Sequence, residues 1–438
     1  MKDKEVIIDG SIENVSIGAD MHALATRLFP ICRSLTGDGF RETLNILKEH
    51  IPLTIHEVPS GTPVFDWTVP KEWSINDAWV ADLKGNKIIE FSKSNLHIVG
   101  YSTPIDKKIS LSELQEHLYS LEELPRAIPY VTSYYQERWG FCLTHEERLK
   151  LKDDTYHVFI DSDLKVGSLT YGELIIPGET EKEVFLSTYA CHPSMANNEL
   201  SGPVVATFLA RWIAQIPRSY TYRIIFIPET IGSLTYLSKN IDTMKKNIVA
   251  GFNLTCVGDE KAYSFLPSRN GDTLVDKVAR HVLKHRHPDF ISYSFLDRGS
   301  DERQYCSPGI DLPVVSVMRS KYSTYPEYHT SLDDLTLVTP KGLQGAFDVV
   351  RECIEVIEGN RTYRAVCLGE PQLGKRGLYP TLSQRNNTAY ATKTIVDMLA
   401  YADGENNLLD IAEILGVPAT SLFETVKLLL DAGLIVEC

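Results

Sequence analysis

The sequence has no Cys-x-x-Cys pair and no dense cysteine framework: its eight cysteines (Cys32, Cys142, Cys191, Cys256, Cys306, Cys353, Cys367, Cys438) lie far apart. That excludes a disulfide-stapled secreted scaffold and a paired-thiol redox motif, and predicts reduced, mostly buried thiols in a reducing compartment. Long apolar runs are missing as well. The apolar stretches are strand-sized, well short of the about 18 residues that suggest a membrane span. Met1–Gly10 begins charged and never develops an apolar run of signal-peptide length, so the expectation is a cytoplasmic protein without a membrane partner. Positive charge is scarce too: Lys and Arg total 44 against 58 Asp and Glu, a net charge of −14. So acidic a surface repels phosphate backbones and anionic lipid, which argues against nucleic acid as a partner.

What remains is an ordinary globular composition, 43% hydrophobic and 23% charged over 438 residues, enough for about three compact units at roughly 150 residues each. From Ser16 to His50 the spacing of Met21, Leu24, Leu28, Leu44 and Leu47 predicts two helices around a Gly-containing loop, and Ile51–Pro59 reads as a strand. Val64 to about Lys152 has a different texture. It carries four of the five tryptophans, a helix-like pattern at Ser110–Leu121 and short strand candidates, which predicts an α+β domain inserted after the first strand.

Beyond it an alternation of strands and helices sets in. Tyr156–Ile160 and Gly167–Ile176 are expected as a hairpin, followed by a strand at Glu183–Thr188, a helix at Leu200–Ile216 and a strand at Tyr222–Ile227. Helices at Ser233–Lys239, Gly271–His285 and Thr339–Ile357 and strands near Ala250–Val257 and Leu312–Val317 complete the pattern. Such alternation predicts a three-layer α/β/α core around a mostly parallel mixed sheet, with the functional site at the carboxyl ends of the strands. The expected organisation is a discontinuous core over 16–60 and 153–360, an inserted domain over 61–152 and a C-terminal domain over 375–438.

That tail reads helix, helix, turn, helix, strand, the order of a winged helix. From Asp397 onward it has one basic residue, Lys427, against eight acidic ones. A recognition helix needs donors for phosphates and base edges, so docking within the chain or in a homo-oligomer is the expected role, not DNA binding.

Three strand ends carry chemistry-bearing residues: Tyr189-Ala190-Cys191-His192-Pro193-Ser194 with Asn198-Glu199 beyond it, Pro228-Glu229-Thr230, and Tyr325-Pro326-Glu327-Tyr328-His329-Thr330 with Asp333 following. Two histidines and a glutamate converging on one rim would suit zinc, with a non-ligating carboxylate taking the proton of an attacking water. Taken singly each has a plainer reading. A strand-end histidine more often makes a structural hydrogen bond, and Glu229 suits a helix N-terminus. His281, His285 and His287 lie at a Lys/Arg-containing helix end and are expected to be solvated. Asp301 and Glu302 are expected near the site or in salt bridges.

The arrangement resembles the di-zinc aminopeptidase family, which includes glutaminyl cyclases. The resemblance spans about 16–60 and 153–360 and rests on His192 after a strand, Asn198-Glu199-Leu200-Ser201-Gly202 against Asp-Asn-x-Ser-Gly, Glu229-Thr230-Ile231-Gly232 against Glu-Glu-x-Gly, and Tyr328-His329-Thr330 with Asp333. Over the whole chain, Phe29-Pro30-Ile31-Cys32-Arg33-Ser34-Leu35-Thr36-Gly37, Asp66-Trp67-Thr68-Val69-Pro70 and Cys191-His192-Pro193-Ser194 resemble bacterial aminopeptidase-like proteins, often encoded with polysaccharide-biosynthesis functions, that combine a peptidase-like core, an inserted domain and a winged helix.

The departures are informative. The family's bridging aspartate would fall at Asn198, its second-metal glutamate at Thr230 and its remaining aspartate at Thr255, all neutral here. Without an anion between them two cations repel, so the resemblance implies one zinc rather than two. The implied ligands are His192, His329 and either Glu199 or Asn198, with Glu229 as general base, in a hydrolase cleaving an amide or peptide bond in a small peptide or amino-containing substrate. Asp301, Glu302 and Glu327 are candidates to hold the substrate's amine, Arg33 and Arg298 to hold a carboxylate or sugar acid. The alternative is a catalytically inactive protein of the same fold, binding a small amine or glycan intermediate as an assembly module.

Overall fold

The structure, a computed structural model, describes residues 17–378 and 388–438. The charged start Met1–Gly10 and the expected core boundary at Ser16 lie outside the described residues. The chain divides into two compact units, one running to Thr273 and including Ile291–Phe347, the other made of Leu274–Phe290 and Asp348–Cys438.

In the first unit, helices α1 (Ile17–Leu28) and α2 (Asp38–Lys48) precede an eight-stranded sheet. Its strands are β1 (Thr54–Pro59), β2 (Ser168–Ile176), β3 (Glu183–Tyr189), β4 (Thr221–Ile227), β5 (Ile248–Leu254), β6 (Ser264–Leu266), β7 (Ile291–Ser292) and β8 (Val314–Met318), in the order β1-β2-β4-β3-β5-β8-β6-β7. The central four, β4, β3, β5 and β8, are parallel, while β1, β2 and β6 join antiparallel. All seven residues of β3 are buried, as a parallel strand covered on both faces requires. Helix α3 (Ser201–Ile213) carries the chain from β3 to β4, and α4 (Ile231–Asn247) carries it back past β3 to β5. Two right-handed crossovers running in opposite directions put these helices on opposite faces. They also open a crevice at the carboxyl end of β3.

One expected pairing is not formed. Thr155–Lys165 does not make a hairpin with β2; it pairs antiparallel with Glu72–Asp82 and Ile105–Ser110 in a second, four-stranded sheet completed by Lys87–Glu90. The reason is visible in its alternation: Tyr156, Val158, Ile160 and Ser162 are buried while the residues between them are not, the period of a one-faced antiparallel strand. The chain passes from this sheet to β2 at Gly167, where a Cβ would come within 2.4 Å of the Glu72 carboxylate. The helix expected over Ser110–Leu121 is the short Leu111–Gln115, capped by Ser110. Strands β6 and β7, too short for periodicity to register, were not expected.

The second unit has winged-helix order: helices Thr388–Tyr401, Leu408–Leu415 and Phe423–Asp431, with Thr362–Ala365 as the middle strand between Asp403–Asn407 and Ile435–Glu437. Helix Leu274–Arg286 belongs to this unit. Its His281 is not solvated as expected but 2% exposed. His281 Nδ1 donates to Glu413 Oε1 at 2.5 Å, and its Nε2 accepts the Ala419 N–H at 2.9 Å. Among the described residues no helix is long and apolar enough to cross a membrane.

Candidate metal centre

The site grows from the turn after β3. His192 follows the strand, and residues Ala196–Leu200 form one fully buried π-helical turn before α3 begins, a wide turn that recurs at functional sites. Asp333 fixes it: its carbonyl accepts the Ala196 N–H at 2.9 Å, and its carboxylate accepts those of Asn197 at 2.6 Å and Asn198 at 3.0 Å. Those are backbone donors with no partner inside the turn, where a carboxylate is favoured. Gly202, at the start of α3, has room only for hydrogen, since a Cβ there would lie 2.2 Å from the Leu254 carbonyl oxygen. The turn therefore packs directly on the end of β5.

In this turn the adjacent Asn198 and Glu199 face different partners. Glu199, 0% exposed, turns its Oε1 onto His192 Nδ1. Neither of its carboxylate oxygens, nor His192 Nδ1, makes a regular hydrogen bond to any described residue. Cys191 Sγ completes a group in which one donor atom each from Cys191, His192 and Glu199 lies within 4.8 Å of the others. On the other side of the ring, His192 Nε2 lies 3.7 Å from Glu229 Oε2.

Asn198 points elsewhere. Its Oδ1 accepts from His329 Nε2 at 3.2 Å, and its Nδ2 donates to the Tyr189 hydroxyl at 3.2 Å. Tyr189 in turn meets Thr255 Oγ1 at 2.7 Å, and Thr255 donates to the Asn198 carbonyl at 3.0 Å. Thr230 Oγ1 accepts from Arg303 at 2.6 Å. All three neutral positions are thus committed to hydrogen bonds. His329, expected as a ligand beside His192, stands outside the donor group, its ring 5.2 Å from that of His192 and stacked on Tyr328.

The electrostatics follow from burial. Burial alone would lower His192, but Glu199 outweighs it and holds the imidazole above its ordinary value. Burial pulls His329 down to about 3, with the His192 charge adding to the effect. Glu229 is pushed up to about 8, mainly by burial, against the pull of His192. Desolvation of this kind marks functional sites more often than structural ones.

The remaining expected residues divide. Arg33 is 1% exposed; its Nη1 donates to the Leu28 carbonyl at 2.7 Å, while Nε and Nη2 meet no described residue. Burial lowers it to about 10, against the attraction of Glu199. Asp301 lies beside Glu229, accepting from Thr230 N–H at 2.7 Å and Ser233 Oγ at 2.8 Å, with its other oxygen unpartnered; burial raises it to about 7. Glu302 is saturated by Gly299 and Ser300 N–H groups and the Tyr322 hydroxyl on one oxygen and by Asn253 on the other. Arg298 is exposed and lies over Phe295. Glu327 accepts from Lys261 Nζ at 2.6 Å.

Two site residues had escaped the sequence reading. Cys191 carried a signal, a thiol directly before His192. Tyr130 carried none: it comes from the segment between the strands Ile105–Ser110 and Thr155–Lys165 of the second sheet, and its ring stands edge-on to His192 at 4.6 Å and to His329 at 5.3 Å. It is held there by its N–H to the His329 carbonyl at 2.9 Å and by Ile128 N–H to Ser331 Oγ at 3.0 Å.

The donor set fits one ion. Nitrogen, carboxylate and sulfur are zinc donors, and buried oxygens without partners are costly unless something occupies them. Asn198, Thr230 and Thr255 are neutral and add no anion to this donor set. The group His281, His285 and Glu413 is also close enough for an ion, yet both His281 nitrogens are already hydrogen-bonded.

A model described as "Domain of unknown function (DUF4910)" matches residues 22–360, and a winged helix-turn-helix model matches 361–437. The chain belongs to the DUF4910 family. A Clostridium acetobutylicum relative, described as a candidate polysaccharide biosynthesis protein with an aminopeptidase-like domain, is 47% identical over 92% of this chain and 93% of its own. The crystal structure of a candidate peptidase from the same organism is similar at TM-score 0.91 and 45% identity over 96% of both chains. The zinc aminopeptidase of Bacillus subtilis shares the fold at TM-score 0.55 and 13% identity, covering 79% of this chain and 96% of its own. This DUF4910 chain thus joins an aminopeptidase-like fold to a winged helix.

Proposed function

We propose that the protein is a one-zinc hydrolase of aminopeptidase type that cleaves an amide or peptide bond in a small, amine-bearing substrate. The observation that carries this is the buried Glu199–His192 contact, with Glu199 Oε2 left without a partner among the described residues, beside Glu229. When bound, zinc supplies the Lewis acidity that polarises a carbonyl and acidifies water. His192 and Glu199 hold the ion. Glu229 Oε2 accepts the proton of the attacking water and returns it to the leaving nitrogen. Asp301, through its unpartnered oxygen, receives the substrate's amine, and Tyr130 covers the two histidines and limits what can enter. The core, the inserted domain and the winged helix act as three units, the last as an acidic docking module without nucleic acid.

The test is hydrolysis of a panel of aminoacyl amides by zinc-loaded protein. Glu229→Gln is expected to lower the rate about 10²–10⁴-fold, the range of general-base catalysis, with zinc content unchanged. An unchanged rate removes Glu229 from the mechanism.

A second reading is favoured by the three neutral positions: a silent member of the fold that binds a small amine or glycan intermediate, in keeping with the relative described by polysaccharide biosynthesis. Zinc-loaded protein that binds aminoacyl ligands yet hydrolyses none of the panel would support it.

A further inference from the structure

We infer that Cys191 is a metal ligand, so that the centre is a Cys-His-Glu site rather than a histidine-and-carboxylate one. This rests on the one-zinc reading above. The argument begins with what the site lacks. The family pattern would supply anions at Asn198, Thr230 and Thr255, and all three are neutral and hydrogen-bonded. A dication in a pocket whose lining is 0–4% exposed needs anionic donors, because water cannot screen it there. Within the donor group around His192, two side chains can provide them. Glu199 is one, and the thiol of Cys191, fully buried and within 4.8 Å of the His192 and Glu199 donor atoms, is the other. Thiolate, carboxylate and neutral imidazole around a dication leave no net charge in the pocket.

The surroundings are those of a ligating sulfur. The Glu229 N–H points at Cys191 Sγ at 3.3 Å, a hydrogen bond from the shell around the ion of the kind that orients ligands. The same peptide therefore fixes the sulfur and carries the general base. The Arg33 guanidinium is buried too, with Nε and Nη2 unpartnered among the described residues. Three protein donors leave the fourth tetrahedral position open, as a catalytic zinc requires. On binding, the Cys191 S–H bond breaks, the sulfur–metal bond forms and one proton passes to solvent.

The test uses the full chain stripped of metal and titrated with Co(II), whose thiolate complexes absorb intensely in the near ultraviolet by charge transfer. One equivalent is expected to bind with that band. Cys191→Ser is expected to abolish the band and weaken binding at least tenfold, whereas Cys256→Ser, removing a neighbouring buried thiol, leaves both unchanged. Zinc-edge X-ray absorption on the unaltered protein needs no variant and should show one sulfur at about 2.3 Å beside nitrogen and oxygen at about 2.0–2.2 Å. Co(II) or zinc bound with no sulfur in its shell overturns the assignment of Cys191 and leaves the one-zinc reading standing. Failure of the unaltered protein to bind either ion overturns both.

Discussion

At the scale of single residues, the site turns on which of two adjacent side chains faces His192. Because Glu199 makes that contact and Asn198 bonds to His329, the two histidines have different duties. Glu199→Gln removes an anionic donor, and zinc affinity should fall at least about tenfold, since even partners outside the ligand shell cost 10–100-fold. His329→Ala removes a hydrogen-bond partner of Asn198 and should leave bound zinc at one equivalent. Isothermal titration of the metal-stripped variants reads both; loss of zinc from His329→Ala and its retention by Glu199→Gln would reverse the assignment. That His192, Glu199, Glu229 and His329 lie near one another was legible in the sequence, because each comes after a recognisable strand of a mostly parallel sheet. The distribution of roles was not. It depends on the π-helical turn and on Asp333 capping it, which rotate Glu199 toward His192, and turn geometry of that kind has no periodic signature.

At the scale of elements, the site depends on how the two sheets are joined. Glu72, on the second sheet, accepts from Arg41 of α2 at 2.9 Å and from the Ser168 N–H of β2 at 3.0 Å, so one carboxylate ties three elements together. The Arg41 hydrogen bond, reinforced by Ser168, holds Glu72 below its ordinary pKa despite burial. Its contribution to stability is therefore present above the unfolded carboxylate value of about 4.3 and lost as pH falls through the lower folded value. Glu72→Gln should cost about 1.5–3 kcal/mol at neutral pH, the range for hydrogen bonds to charged groups. The gap to the unaltered protein should narrow once pH falls below the unfolded value and close below the lower folded one. Urea unfolding across that range measures it, and a gap independent of pH would contradict the role given to Glu72. This junction also marks where sequence reading stops. The strands β3, β4, β5 and β8 are mostly apolar and buried and were legible. The pairing of Thr155–Lys165 was not, because its neighbour in sequence lies in one sheet and its partners lie about 50 to 90 residues back.

At the scale of the whole molecule, the chain couples an aminopeptidase-like fold to a winged helix whose last 42 residues carry a single basic residue. Within that unit the helix Leu274–Arg286, with His281 bonded to Glu413 and Ala419, gives the module a protein surface to pack on. The order of its helices and its final strand was legible; its middle strand, Thr362–Ala365, follows directly on a long helix, and only its two strand neighbours identify it. The central claim is the proposal that this chain holds one metal ion at His192 and Glu199. Diffraction from crystals of the full chain grown with zinc, recorded on both sides of the zinc absorption edge, tests it most directly. The account predicts one anomalous peak within bonding distance of His192 and Glu199; two peaks, a peak at His329 alone, or none would contradict it.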